Sequence, residues 1–469
     1  MEVAGKDDCV VKKRRKDQME SNDSGHGDAA DRIYDTIEIL VVKEKKRRHA
    51  HEFLPSIYRV TKTLRDVSPN SYTPRVISIG PFHKDNKILK EAEVHKVAYM
   101  FDLYGRLKSP REQTTKACVN MVLNKIDRIR ACYAGKMKTY DDHEFAQMMV
   151  IDGCFILELI YRSNDRIYES PSVFVNKLLT LYVKHDLVLL ENQIPFFVLQ
   201  DLFECTIRKL EPRASLVSLV LSFLKDVNPF RQKLVLDNDE AETNHDHILG
   251  VLQRCYQHAH AKPSENSKTT SNSAAEFLNA ISYSVTELAM AGVKFKPNND
   301  TKWLLAMEFK FSRVHCFCWS WGKPTFRMPM LQIEDYTEAV LRNLIAYEQF
   351  SPAVPDDVTS YAFAMERILD TKEDVLKVIE SKVLTNNLGS SEQASNMINS
   401  ICKEVTVKDF SYIKQWKQLD GYYNGYWPKN VAWLRRTYFS SPWSFIALLA
   451  GFLLFGLTVA QTYFTIRPI

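Results

Sequence analysis

Apolar positions in this chain follow three patterns, and the densest lies towards the carboxy-terminal end. Phe445–Phe464 reads FIALLAGFLLFGLTVAQTYF, twenty residues without a charge. At 1.5 Å rise per residue such a helix is roughly 30 Å long, the thickness of a hydrocarbon core. Trp443 at its entrance and Tyr463 near its exit are the aromatics expected at the headgroup level. Gly451 lies four residues from Ala447, and Gly456 four from Ala460, a spacing that lets two such helices approach closely. The predicted element is one membrane anchor running from Phe445 to Phe464, with the lipid bilayer as its partner and a homo-oligomer as a candidate assembly.

The second pattern is helical, with apolar residues three or four apart. Val94, Val97, Phe101 and Tyr104 predict one buried helix face; Cys118, Val122, Ile126, Ile129 and Tyr133 predict another. Glu144–Tyr161 is apolar nearly all round, which predicts a helix buried on several sides. Leu181–Glu204 continues the pattern, but Pro195 lacks an amide hydrogen and disfavours helical geometry at Ile194, so a kink is expected at Gln193–Pro195. Asp335 followed by Glu338 has capping-box spacing and should start a helix Tyr336–Glu348 with Val340, Leu344 and Tyr347 as its stripe. Two more helical segments are expected at Tyr361–Leu384 and Glu392–Val405, ahead of an aromatic stretch Trp416–Trp433.

The third pattern is short and strand-like. Val76–Ile79 is closed by the turn pair Gly80–Pro81, and Val293–Lys296, Leu304–Phe311 and Met328–Ile333 suggest a small sheet. Together the patterns predict a mainly α protein: a single large helical domain with a small β-sheet element, followed by one C-terminal transmembrane helix. Its segments are a disordered basic and polar arm (1–50), a helical first half (51–236), a polar surface loop region around a short helix at Ile248–Tyr256 (237–276), a second half (277–433), and a juxtamembrane segment with the anchor (434–469).

Charge refines this picture. The net charge of +5, with 25% charged residues, gives no reason to expect a nucleic-acid partner. Lys429, Arg435 and Arg436 precede the anchor and Arg467 follows it, a bias that favours a cytoplasmic body. The start, MEVAGKDDCVVKKRRKDQ, shows no apolar signal-peptide core, so the expected layout is a tail-anchored protein of the plasma membrane or a secretory-pathway membrane. The basic runs Lys12–Lys16 and Lys43–Arg48 fit a solvated arm, contact with an anionic leaflet, or a nuclear address. Sequons at Asn22 and Asn299 would matter only for a lumenal or extracellular body.

Candidate chemistry is sparse. Gly322–Thr325 offers Gly-Lys, but Pro324 breaks the helix start that a phosphate loop requires. His245, His247, Cys255, His258 and His260 read as a surface cluster, and His315, Cys316 and Cys318 lack the second ligand pair of a zinc site. Cys154 lies in the most apolar helix and reads as a packing thiol; the nine cysteines look like free thiols of a reducing compartment. No metal or cofactor is therefore expected. The more informative groups are polar residues among apolar neighbours: Asp152, Glu158, Glu191, Asn192, Gln193 and Glu348. A buried carboxylate must be paired, hydrogen-bonded or neutral. At the Pro195 kink, Glu191, Asn192 and Gln193 either satisfy the broken helix or, with Asp152, line a binding pocket.

Seven ordered stretches carry a family resemblance: Ile57–Leu64 (IYRVTKTL), Tyr72–His83 (YTPRVISIGPFH), Met148–Leu159 (MMVIDGCFILEL), Asp186–Leu199 (DLVLLENQIPFFVL), Val285–Lys296 (VTELAMAGVKFK), Met328–Gln349 and Tyr438–Thr465. In them the chain resembles the plant family called Domain of Unknown Function 247. It departs from the family pattern at Thr61, Lys84 and Ala92–Glu93. The resemblance implies one mostly helical domain ahead of a C-terminal anchor and supplies no catalytic residue. Some members are similar to pollen-side specificity determinants of grass self-incompatibility, which implies recognition and signalling at a membrane. The expected function is thus a non-enzymatic, tail-anchored interaction module with unknown protein partners. The alternatives are a membrane-bound enzyme with its pocket near Glu191–Pro195 and a nuclear regulator.

Overall fold

The computed structural model describes residues 32–42, 55–135, 138–165, 177–236, 245–258, 283–299, 302–311, 315–316, 319–320, 324–438 and 442–466. The chain divides into two units, 1–55 and 56–469. In the first, residues 32–42 form a helix, so the arm expected to be disordered contains regular structure. The basic runs, His260, Cys318 and the Asn22 sequon lie outside the described residues.

The second unit is mainly helical, with one continuous apolar core. Its centre is the 24-residue helix Asp142–Asp165. Against it pack helices Ala92–Gly105, Arg111–Leu123, Phe196–Cys205 and Leu216–Leu224. Gly153 makes room for helix Phe196–Cys205, since a Cβ there would stand 2.3 Å from Leu202 Cδ1. Helix Thr337–Phe350 organises the rest, packing on Asp357–Ile368, on Ser391–Ile401 and on the turn Pro69–Tyr72. The Tyr361–Leu384 segment is two helices, Asp357–Ile368 and Lys372–Glu380, followed by strand Leu384–Asn386. Thr371 and Asp374 form a reciprocal cap that starts the second of these helices.

Among the described residues the sheets are small. Lys294–Pro297 pairs in parallel with Thr325–Met328, which pairs antiparallel with Glu308–Lys310; Leu331–Ile333 runs parallel to Leu384–Asn386. Two further two-residue pairings are Ile57–Tyr58 with Tyr133–Ala134 and His315–Cys316 with Trp319–Ser320.

The structure corrects four expectations. Val76–Ile79 is irregular and not a strand, and side chains take up the Val76, Ile77 and Ile79 amides. Helix Thr337–Phe350 carries no side-chain cap from Asp335; its N-cap is Tyr336, and Thr337 Oγ1 instead accepts the Glu334 amide at 2.9 Å. On Ala92–Gly105 the apolar residues Val94, Val97 and Phe101 are exposed, and the buried face is Lys96, Tyr99, Leu103 and Tyr104. A periodicity that counts apolar residues cannot anticipate a lysine facing inwards. His245 and His247 are buried rather than on the surface, and His247 caps helix Ile248–Arg254, accepting the Gly250 amide on Nδ1 at 3.0 Å.

The final helix, Pro442–Ile466, is different in kind. Within its 24-residue stretch Trp443–Ile466 an 18-residue window reaches a mean hydropathy of 2.1, and none of that window is buried. It is long and apolar enough to span a membrane.

Candidate functional site

Four of the polar residues singled out in the sequence, Asp152, Glu191, Asn192 and Gln193, converge on one buried layer. Helix Lys177–Asp186 ends well before Pro195, and residues 187–195 form a non-helical crossing before helix Phe196–Cys205 begins. The break is therefore wider than the proline alone predicts. Pro195 sits at the N-cap of the second helix, where a missing amide hydrogen costs nothing.

Across this break lies the irregular segment 75–80. Asp186 accepts three consecutive amides from it: Arg75 at 2.9 Å, Val76 at 2.7 Å and Ile77 at 2.9 Å. Asn192 continues the ladder, accepting the Ile79 amide at 2.7 Å and donating to Ile77 O at 3.1 Å and Asp186 O at 2.9 Å. Asp152, from the central helix, accepts the Gly80 amide at 2.8 Å. Side chains thus replace the neighbouring strand that this segment would otherwise need.

Glycine is required at position 80. Its φ is +69°, and a Cβ would lie 2.6 Å from Gln193 O. Gln193 closes its own loop, donating to Leu187 O at 2.7 Å and Leu189 O at 2.9 Å, and it accepts the Leu249 amide at 3.3 Å. Here both the broken helix and a neighbouring element draw on one side chain.

Two charged clusters complete the layer. Lys96, fully buried, donates to Asp152 Oδ1 at 2.7 Å and to Ser78 O, and pairs with Glu93 at 2.7 Å. Glu191 accepts the Val60 amide at 2.7 Å and Arg65 Nη2 at 2.5 Å. His83 Nε2 stands 3.1 Å from the second Glu191 oxygen without the alignment of a full hydrogen bond. Burial pushes the Glu191 carboxyl up, but His83, Arg65 and the Val60 amide outweigh it and hold the group below its ordinary value. For Asp186 the balance reverses: burial raises it to about 6 against the three amides.

Sequence reasoning missed Asp186 and Lys96, although the apolar run after Asp186 was a usable signal. Glu348, which it did note, closes a separate buried site. It accepts the Val358 and Thr359 amides, the Thr359 hydroxyl and Gln253, capping helix Asp357–Ile368 from a distance. Burial outweighs these donors and lifts it to about 8. Glu158 pairs with Arg162 one turn on along the central helix and with Arg106 at the end of helix Ala92–Gly105.

Among the described residues no group of three His, Cys, Asp or Glu side chains is placed to hold a metal ion. Cys154 meets Cys118 and Tyr104 in the core; Cys118 and then burial push its thiol well up, as a packing thiol requires. Cys118 is the exception: the hydrogen bond from Cys154 outweighs burial and brings it to about 7, although the side chain has no solvent exposure.

This framework coincides with the stretches that carry the family resemblance. The profile of Domain of Unknown Function 247, described as plant protein of unknown function, matches residues 57–457. The chain belongs to this family. Domain of Unknown Function 247 therefore covers both buried polar sites and enters the apolar C-terminal helix. A UPF0481 protein of Arabidopsis thaliana is 28% identical over 428 residues, covering 87% of this chain and 85% of its own length. A second Arabidopsis UPF0481 sequence is 25% identical over 505 residues, with 90% and 92% covered. No solved structure matches the chain.

Proposed function

We propose that the chain is a single-pass, tail-anchored membrane protein whose helical body lies on the cytoplasmic side and recognises other proteins there. The observation that carries the reading is the helix Trp443–Ile466, free of charged residues, with none of its apolar window buried. Leaving its apolar side chains in water costs about 25 cal/mol per Å² of surface that could be covered, so a twenty-residue apolar rod requires a non-aqueous environment. Trp443 and Tyr463 suit its two ends. The charge bias of Lys429, Arg435 and Arg436 supports the orientation.

The polar layer around Asp152, Glu191, Asn192 and Gln193 supports a framework role in preference to a catalytic pocket. Each of these side chains already takes amides, carbonyls or ion-pair partners from the chain itself, which leaves little capacity for a substrate. The surface offers a better place for a partner. Ile88, Val94, Val97 and Phe101 are exposed together on helix Ala92–Gly105 and the turn before it. An exposed apolar patch on a folded body commonly marks a protein contact. The open faces at Gly451 and Gly456, with nothing within 4 Å of a built Cβ, are available for self-association in lipid.

Removing Phe445–Ile469 and fractionating plant cells tests the anchor. The truncated chain is expected to move to the soluble fraction; unchanged membrane association overturns the reading. Protease protection of the intact chain in sealed microsomes decides orientation, and modification at Asn299 would reverse it.

A further inference from the structure

The helix at residues 32–42 has no role in anchoring by the C-terminal span. It runs RIYDTIEILVV, and every one of its residues is exposed. At 100° per residue, Leu40, Ile33, Ile37, Val41 and Tyr34 fall within an arc of about 120° that no polar residue interrupts. Arg32, Asp35, Thr36 and Glu38 occupy the opposite side, interleaved with Ile39 and Val42. Exposures of 61% for Ile33, 53% for Ile37 and 59% for Leu40 leave this stripe open.

Such a helix is a poor candidate for independent stability. Eleven residues is below the length at which isolated helices persist in water, about 12–15 residues. Six of the eleven are β-branched (Ile33, Thr36, Ile37, Ile39, Val41, Val42), which lowers helix propensity further. Its helicity therefore depends on something that covers the stripe.

The adjoining residues set the chemistry of that covering. Lys43–Arg48 reads KEKKRR, five bases and one acid immediately after the last helical turn. Bases at the carboxy-terminal end also suit the negative pole of the helix. An apolar stripe continued by a basic run is complementary to a surface that is apolar below and anionic above. We propose that residues 32–42 lie in the interface of an anionic bilayer, with Leu40, Ile33, Ile37, Val41 and Tyr34 among the acyl chains. The commitment to lipid over an acidic protein groove draws on the membrane reading of the C-terminal helix, which places this chain beside a bilayer. The arm is then a second, charge-selective attachment.

The test is hydrogen–deuterium exchange on the full-length chain, transferred from detergent to preformed vesicles of phosphatidylcholine alone or with 30% phosphatidylserine. Peptides covering 33–42 report this contact, and peptides covering 445–464 report the anchor, so the two readings succeed or fail separately. Exchange across 33–42 is expected to slow by about tenfold or more with phosphatidylserine, to recover in the variant I37D/L40D, and to recover at 1 M salt. Equal exchange on the two vesicle types overturns the proposal whether or not the anchor inserts. Protection that appears without vesicles and rises with protein concentration also overturns it, by assigning the stripe to a second copy.

Discussion

Lys96 Nζ lies 2.7 Å from Asp152 Oδ1, and neither side chain has any exposure to solvent. The pair joins helix Ala92–Gly105 to the central helix and, through Ser78 O and the Gly80 amide, fixes the irregular segment 75–80 against both. A buried ion pair is weak as a source of net stability, but removing one partner strands the other.

Replacing Lys96 with Met should therefore destabilise the body by about 3–5 kcal/mol. The double variant K96M/D152N, which removes the stranded charge and keeps an acceptor for the Gly80 amide, should recover a substantial part of that loss. Chemical denaturation of the purified protein measures both. Equal stability of K96M and wild type would refute the coupling.

Gly80 holds φ at +69° with Gln193 O closing the space where a Cβ would go. G80A should cost more than the 1–3 kcal/mol typical of backbone strain, because strain and a backbone clash coincide. By contrast G421A, where nothing lies within 4 Å of a built Cβ, should be nearly neutral or mildly stabilising. Paired thermal melts of the two variants check this.

His185 lies against Tyr336 with ring centroids 3.6 Å apart and the planes tilted by 32°, and neither ring nitrogen has a hydrogen-bond partner. Burial, reinforced by Arg75 and Lys184, pushes its pKa down to about 3. The unfolded chain, near 6.5, binds the proton that the folded chain refuses, so stability is present above 6.5 and is lost as pH falls towards 3. At pH 4.5 the loss is on the order of 2–3 kcal/mol. Relative to wild type, H185F should gain stability steadily between pH 7 and 4.5. Parallel unfolding curves across that range would show the histidine to be irrelevant.

The apolar patch on helix Ala92–Gly105 makes a different kind of prediction. Val97 and Phe101 are exposed, so V97D/F101D should change the unfolding free energy by only the small amount typical of surface substitutions, about 0.5 kcal/mol. Proximity labelling by the intact protein in plant cells should nevertheless lose specific neighbours in this variant. An unaltered set of labelled proteins would take the patch out of the recognition surface.

Much of this was legible along the chain. The membrane-length helix, the central helix around Met148–Leu159, and the need of Asp152 and Glu191–Gln193 for polar partners follow from apolar runs and their polar interruptions. These are local properties, because side-chain transfer energies and helical periodicity depend on near neighbours in sequence. The inward-facing Lys96 was not legible, since its burial depends on a carboxylate 56 residues away. Nor was the fate of Val76–Ile79, a strand by pattern whose amides are claimed by Asp186 and Asn192 over more than a hundred residues.

The sequence by itself determined which segments must leave water and which polar residues would have to find partners. Only the tertiary structure decided who those partners are, turning the break before Pro195 from a disturbed helix into the ladder that holds 75–80. Burying a polar group is costly wherever it happens, but its remedy is supplied by whatever the folded chain brings within about 3 Å.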